Sequence, residues 1–147
     1  MVLSLLVGTG VFTVSLVCFA MMTWLIVNVA LRLIRTNLGF WRGVAVMIII
    51  SLITGAAHVM LIALWALVFL ACGELASFDQ AFYFSAQSYT SLGYGDVHLS
   101  DRWRLLGPLE AVNGLLLFGL STAIMFAVLN RLITNRFRRE FDRLGKE

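Results

Sequence analysis

The stretch that decides the fold is residues 88–96, SYTSLGYGD, which lies between two long apolar segments. Two glycines flank one tyrosine, hydroxylated residues precede them, and an aspartate follows. Glycine adopts backbone angles that other residues resist, so Gly93 and Gly95 allow successive carbonyl groups to point the same way. Rings of such carbonyls replace the hydration shell of a cation. The pattern therefore predicts a cation-binding strand of non-helical backbone.

The composition around this stretch indicates an integral membrane protein. Of the 147 residues, 61% are hydrophobic and 13% are charged, against roughly 25% charged in an average soluble domain. Residues 2–31 and 44–73 contain no Asp, Glu, Lys or Arg, and about 20 apolar residues suffice to cross a bilayer. The first run lacks a basic leader and a clear cleavage site, so we expect a retained helix rather than a signal peptide.

Three spanning helices are expected, over about residues 12–31, 44–70 and 106–130. A fourth, shorter helix is expected over residues 78–90, where Ser77 and Asp79 are favourable N-cap residues. It is too short to span a membrane and too apolar for a free loop. Non-helical backbone at membrane depth is tolerated only where protein buries it or where it lines a water-filled cavity. A re-entrant segment is therefore expected between the second and third spans.

The distribution of charge predicts the orientation. The turn after the first span contains Arg32, Arg35 and Arg42, and the tail from residue 131 has six basic and three acidic residues. The segment 71–105 has two basic and four acidic residues. The positive-inside rule then places the turn and the tail in the cytoplasm and the re-entrant segment outside. The tail is expected to form a short amphipathic helix, with an apolar stripe of Leu132, Phe137, Phe141 and Leu144. It either binds anionic lipids of the inner leaflet or is a solvated basic face.

The residues Ser91-Leu92-Gly93-Tyr94-Gly95-Asp96 resemble the T-V-G-Y-G-D signature of the pore-loop potassium channels. The order of outer helix (44–70), pore helix (78–90), filter (91–96) and inner helix (106–130) is similar to that of small bacterial members. The resemblance implies an all-α membrane protein that assembles as a fourfold homotetramer around a pore domain, residues 43–130. Residues 1–35, an additional helix with its turn, and the basic tail 131–147 lie outside it.

The resemblance also implies a role for each filter residue. Backbone carbonyls of Ser91, Leu92, Gly93 and Tyr94 would coordinate K⁺, with the Ser91 hydroxyl at the inner end and Gly95 completing the filter. The expected supporting residues are Thr90, Gln87 and Asp96, and Gln87 is expected to form a hydrogen bond with Asp96. Ser in place of Thr and Leu in place of Val depart from the signature, and both changes are expected to loosen the innermost sites. Neither change removes a coordinating carbonyl, so selectivity for potassium over sodium is still expected.

Two glycines and a series of side chains in the third span are candidates for the gate. Gly114 and Gly119 are either hinge residues, as the resemblance implies, or close-packing positions. The cavity-lining face is expected to follow the i, i+4 series Phe118, Thr122, Phe126 and Asn130. Phe126 is expected to be the narrowest point, which gates by dewetting; the alternative is that it packs between helices.

Two histidines are candidates for pH sensing. His58 is the single ionisable side chain inside the second apolar run, and the alternative is a neutral imidazole bonded to a neighbouring helix. His98 follows the filter and is expected to face outside. Cys18 is expected to be a small apolar side chain. Cys72 is either a free thiol or a bridge between subunits.

These features predict a tetrameric potassium-selective channel that conducts K⁺ passively through backbone carbonyls. The alternatives are a weakly selective cation channel and a non-conducting membrane scaffold. We find no nucleophile–base pair and no metal-ligand cluster in the sequence, so we expect neither an enzyme nor an organic cofactor. The expected partners are copies of the chain and anionic lipids, without nucleic acid. The expected location is the inner cell membrane, with several passes.

Overall fold

The computed structural model describes residues 2–34 and 40–144, with side chains described over 2–32 and 41–136. Within these residues the chain forms helices and no strand, and the helices are α1 (Val2–Ile34), α2 (Phe40–Ala71), α3 (Phe78–Tyr89) and α4 (Leu106–Leu144). Of these, α1, α2 and α4 are long and apolar enough to cross a membrane. α3 has 12 residues, about 18 Å of helix, which is too short. The predicted all-α fold with three spans is confirmed.

The helix bounds differ from the expected ones at two places. α1 is helical from Val2 rather than from residue 12, so its Ser-, Thr- and Gly-containing first turns belong to the same helix. α4 does not end at Asn130 but continues to Leu144. The basic segment after residue 130 contains no Gly or Pro before Gly145, and charge alone does not end a helix. Most of the arginine turn (35–39) and the side chains of the expected tail stripe after Leu132 lie outside the described residues.

α1 packs against both α2 and α4 along one face. Its buried positions recur every eleven residues, in two series: Ser4, Ser15 and Ile26, and Gly8, Phe19 and Ala30. Eleven residues in three turns is about 3.67 residues per turn, close to the α-helical repeat, so these positions lie on one face of α1. The N-terminal half of α1 lies beside the start of α4, and its C-terminal half packs with Val46, Ile50 and Val128.

The short helix α3 is held between α2 and α4. The Ser85 hydroxyl lies within hydrogen-bonding distance of the Ile62 carbonyl oxygen on α2 and of the Glu110 carboxylate on α4. A Cβ atom on Gly114 would overlap the backbone carbonyl of Tyr89, so α4 approaches the C-terminal end of α3 more closely than a side chain allows. These contacts fix the direction in which α3 delivers the chain that follows it.

The two loops around α3 are also fixed by hydrogen bonds. The Ser77 hydroxyl accepts from the backbone N–H of Gln80 at 3.3 Å, which caps α3 as expected. The Glu74 carboxylate accepts from the backbone N–H of Ser100 at 2.6 Å and from its hydroxyl at 2.7 Å. This pair of bonds ties the entry to α3 to the segment that follows residue 96.

Candidate functional site

The non-helical segment after α3, residues 91–96, is here called the filter strand. Its backbone alternates in handedness: Ser91, Gly93 and Gly95 have φ angles of 59°, 54° and 75°, in the left-handed region. Glycine adopts this region freely, whereas a non-glycine residue such as Ser91 does so at a cost of about 1–3 kcal/mol. The strain at Ser91 is retained because the surrounding hydrogen bonds over-determine this conformation.

The backbone N–H groups of the filter strand point toward α3. Leu92 and Gly93 donate to the Gln87 carbonyl oxygen at 2.9 and 3.4 Å, and the N–H of Tyr94 donates to the Gln87 side-chain oxygen Oε1 at 3.0 Å. Successive N–H groups that converge in this way form a nest. In a trans peptide the preceding carbonyl points opposite to the N–H. The carbonyls of Ser91, Leu92 and Gly93 therefore point away from α3.

The outer end of the filter strand is held by side chains of α3. The expected hydrogen bond is present, with Gln87 Nε2 donating to Asp96 Oδ1 at 3.1 Å, and the Tyr83 hydroxyl donates to Asp96 Oδ2 at 2.8 Å. The bonds from Gln87 and then Tyr83 lower the pKa of Asp96. The same bond to Asp96 raises the pKa of Tyr83. Thr90, the third expected support, is the C-cap of α3, and its hydroxyl donates to the Ala86 carbonyl at 2.7 Å within that helix.

The α4 residues expected to line a cavity are exposed in the single chain, but they differ in their contacts. Phe126 is 67% exposed, and Thr122 and Asn130 are exposed on the same side. Phe118 is 36% exposed, and its ring stacks on the imidazole of His58 with centroids 4.4 Å apart. Phe118 therefore faces the interior of the helix bundle on one side.

The two glycines of α4 have different surroundings. Gly114 is buried at the closest approach between α4 and α3, which supports the close-packing interpretation of this residue. Around Gly119 nothing lies within 4 Å of the position that a Cβ would occupy. The hinge role of either glycine remains a prediction.

The two candidate pH sensors lie in contrasting places. His58 is 7% exposed and bonds to side chains of both α3 and α4, as in the alternative interpretation of a bonded intramembrane histidine. His98 is exposed beside Gly95, in the segment that follows the filter strand. pH sensing by either residue remains a prediction. Both cysteines are free in the single chain, which leaves the bridge between subunits at Cys72 untested.

Two further residues support α3 and the filter strand: Tyr83, whose role was not predicted from the sequence, and Glu110, whose partner lies on α3. Tyr83 lies one helical turn before Gln87, so i, i+4 spacing on α3 was the available signal. Glu110 is fully buried and meets Ser85 of α3, whereas Arg104 pairs with Asp101 at the surface at 3.4 Å. An acidic residue inside an apolar run was the signal for this buried contact.

Comparison with known proteins extends what the geometry indicates. Residues 56–131, just over half of the chain, match the family described as ion channel. The chain belongs to the pore-loop potassium channel family. The chain is therefore a membrane protein from a family of ion transport. The match includes the C-terminal half of α2, all of α3, the filter strand and the first part of α4.

The chain is also similar to the inward rectifier potassium channel Kirbac3.1 of Paramagnetospirillum magnetotacticum. The two are 34% identical over 91 residues, which is 57% of this chain and 30% of that relative. The chain therefore corresponds to less than a third of the relative's length. No solved structure matches the chain. The helix α1 lies outside the family match.

Proposed function

We propose that four copies of the chain surround a common axis and conduct K⁺ passively through a filter of backbone carbonyls. The observation that carries this proposal is the direction of the filter-strand backbone. The N–H groups of Leu92, Gly93 and Tyr94 are all occupied by Gln87. The three carbonyls that oppose them are directed away from α3, where a cation on the axis meets them.

One chain supplies one filter strand, which cannot surround an ion by itself. Four symmetric copies place equivalent carbonyls in stacked rings, and closed cyclic symmetry is the usual arrangement of homo-oligomers. Leu92 and Tyr94 are 56% and 69% exposed in the single chain, although they alternate with three residues whose φ angles are positive. In the proposed tetramer, neighbouring copies cover these side chains.

The proposed coordinating groups are the carbonyls of Ser91, Leu92, Gly93 and Tyr94, with the Ser91 hydroxyl at the inner end. Carbonyl rings replace the hydration shell of K⁺ and so lower the barrier to its entry. The alternative of a weakly selective cation channel is favoured by one observation, the unbranched Cβ of both Ser91 and Leu92. Neither residue has the stiff χ1 of the Thr and Val in the signature.

The proposed gate lies near the middle of α4, at Phe126. Phe126 exposes a large apolar side chain on the same side as Thr122 and Asn130. Four such rings around an axis would form an apolar constriction that closes by dewetting. We propose further that the C-terminal end of α4 is cytoplasmic and that the filter strand opens outside. The basic residues at this end of α4 would then contact anionic lipids of the inner cell membrane.

Two measurements on the purified channel test this proposal. Light scattering in detergent should give a protein mass four times that of the 16.4 kDa chain. Proteoliposomes should take up potassium along its gradient, and Gly93→Ala should abolish the uptake because alanine resists the left-handed φ of 54°. Gly55→Ala is the matched control, since nothing lies within 4 Å of the Cβ it adds. A monomeric mass, or uptake unaffected by Gly93→Ala, would contradict the proposal.

A further inference from the structure

His58 connects three helices through its two ring nitrogens. Its Nδ1 lies 2.9 Å from the Tyr89 hydroxyl on α3, and its Nε2 lies 2.7 Å from the Ser121 hydroxyl on α4. The imidazole itself belongs to the middle of α2. We call the chain Tyr89–His58–Ser121 the histidine bridge.

The positions of the protons in the histidine bridge follow from the hydrogen bond that Ser121 makes at one end of it. Ser121 Oγ lies 2.8 Å from the backbone carbonyl of Leu117, which can only accept, so the Ser121 proton is used there. Ser121 Oγ therefore accepts from His58, and Nε2 must carry a hydrogen. In a neutral imidazole the other nitrogen is an acceptor, which suits the O–H of Tyr89. Every proton in the bridge then has one acceptor, with no water needed.

Aromatic rings close off the histidine bridge from solvent. Phe118 of α4 stacks on the imidazole, and Phe19 of α1 lies on it with ring centroids 5.6 Å apart. Phe118 also meets the Tyr89 ring edge-on at 5.5 Å. A hydrogen bond that is broken in such an enclosure is not replaced by a bond to water, so its loss costs more than at a surface.

The histidine bridge joins the end of α3 that leads into the filter strand to the part of α4 near the proposed gate. Tyr89 is the last residue of α3, and the filter strand begins two residues later at Ser91. Ser121 lies in α4 between Gly114, which contacts the Tyr89 carbonyl, and the proposed gate residue Phe126. A displacement of α4 at Ser121 therefore acts on the end of α3 that orients the filter strand.

We infer that His58 is a positioning residue that couples the position of α4 to the conformation of the filter strand through the histidine bridge. This inference rests on the proposed function, because the filter and the gate are those proposed above. Coupling of this kind is a free energy shared by two sites, and it requires a physical connection whose state both sites influence. The histidine bridge supplies that connection by hydrogen bonds, and the ring contacts supply it by packing.

The first test is a double-mutant cycle in single-channel recordings. Tyr89→Phe and Ser121→Ala each remove one end of the bridge while keeping the local packing. Each should change the open-to-closed ratio roughly fivefold or more, the size expected for one buried hydrogen bond. Combined, they should have no more effect than either alone, because both break the same connection. Additive effects, or no effect of either variant, would overturn the inference.

Substitutions of His58 separate the bridge from simple packing. The amide of His58→Gln donates and accepts at its two ends, so this variant should retain the coupling that His58→Leu removes. Thr54→Val is the matched control on the same helix, since within the described residues the Thr54 hydroxyl bonds to the Ile50 carbonyl of its own helix and to no other helix. If Gln and Leu at position 58 behave alike, hydrogen bonding does not carry the coupling and the inference is wrong.

The second test does not require current, so it remains readable if the proposed channel function fails. Nitrogen NMR of the His58 ring in the purified protein should show the neutral form with hydrogen on Nε2 and an accepting Nδ1. Tyr89→Phe should shift the Nδ1 resonance and leave the tautomer unchanged. A hydrogen on Nδ1, or an Nδ1 that does not respond to Tyr89→Phe, would show that the bridge is absent even in a conducting protein.

Discussion

Gln87 is the residue through which α3 holds the filter strand at several points. Its backbone carbonyl accepts from Leu92 and Gly93, and its side-chain amide accepts from Tyr94 while donating to Asp96. An ionised glutamate at this position would accept from Tyr94 but would not donate to Asp96. The amide side chain of Gln87 therefore accepts one hydrogen bond and donates another, which an ionised carboxylate cannot do.

Replacing Gln87 with leucine should make the filter strand more sensitive to acid than it is in the unmodified chain. The hydrogen bond from Gln87 is the largest cause of the lowered pKa of Asp96, so Gln87→Leu should raise that pKa. A carboxylate with a lowered pKa stabilises the folded state above its unfolded pKa, and this stability is lost as pH falls through the folded pKa. In Gln87→Leu the loss should therefore occur at a higher pH.

The measurement is the pH at which half of the potassium selectivity is lost, taken from reversal potentials. Gln80→Leu is the control, because Gln80 lies on the same helix at its exposed N-terminal end and makes no bond with the filter strand. An acid midpoint that is the same in Gln87→Leu and in the unmodified chain would contradict the assigned role of Gln87.

Phe126 is the residue on which the proposed gate depends. Phe126→Ala should widen the constriction and raise the resting conductance several-fold, because a wider apolar ring stays wet. Met125→Ala, about 100° around α4 from Phe126 at a similar depth, should leave the conductance unchanged. Single-channel open probability is the measurement, and equal effects of the two variants would place the gate elsewhere.

At the scale of the helices, the contact between α4 and the end of α3 determines how close these two helices lie. Gly114 lies where the α4 backbone faces the Tyr89 carbonyl, and there a side chain has no room. Gly119, five residues later, has open space around it in the single chain. The two glycines look equivalent in the sequence, and the contact with α3 distinguishes them.

Gly114→Ala should therefore destabilise the folded protein by about 1–3 kcal/mol, the usual cost of overpacking. The added methyl group must displace rigid backbone at the end of α3. Gly119→Ala on the same helix should cost much less, since its methyl group meets nothing within 4 Å. Denaturation in detergent measures both free energies, and equal losses for the two variants would refute the packing role of Gly114.

α1 is the element that the family match does not include, and its packing on the pore helices is specific. Asn113 of α4 donates to the Phe12 carbonyl of α1 at 3.4 Å, and Gly8 lies against Leu106 and Leu109. The length of the apolar run was enough to predict α1. Its packing face was not predictable, because a helix in lipid is apolar on every side and carries little amphipathic signal.

The contact at Gly8 should be sensitive to side-chain size. Gly8→Val introduces a side chain where the Leu109 side chain already lies, so it should weaken the packing of α1 on α4 by about 1–3 kcal/mol. Gly10→Val, about 200° around the helix from Gly8, adds the same atoms at a position where nothing lies within 4 Å of the new Cβ. Protease accessibility of α1 in bilayers is the readout, and identical digestion of the two variants would contradict this packing.

At the scale of the whole molecule, the features that the sequence predicted are local ones. The length of an apolar run, the cap of α3 and the glycine spacing of the filter strand each depend on neighbouring residues. The contacts Tyr89–His58–Ser121 and Ser85–Glu110 depend instead on which helix faces meet, and spacing along the chain does not determine that. The end of α4 was placed too early, because a run of charges marks the membrane boundary but not the end of a helix.

The central claim is that the filter strand, with its carbonyls directed away from α3, selects potassium. The most direct test is the reversal potential of the purified channel in a planar bilayer with potassium on one side and sodium on the other. We predict a value close to the potassium equilibrium potential. A current that reverses near zero would contradict selectivity, and it would indicate that Ser91 and Leu92 leave the filter too loosely held to exclude sodium.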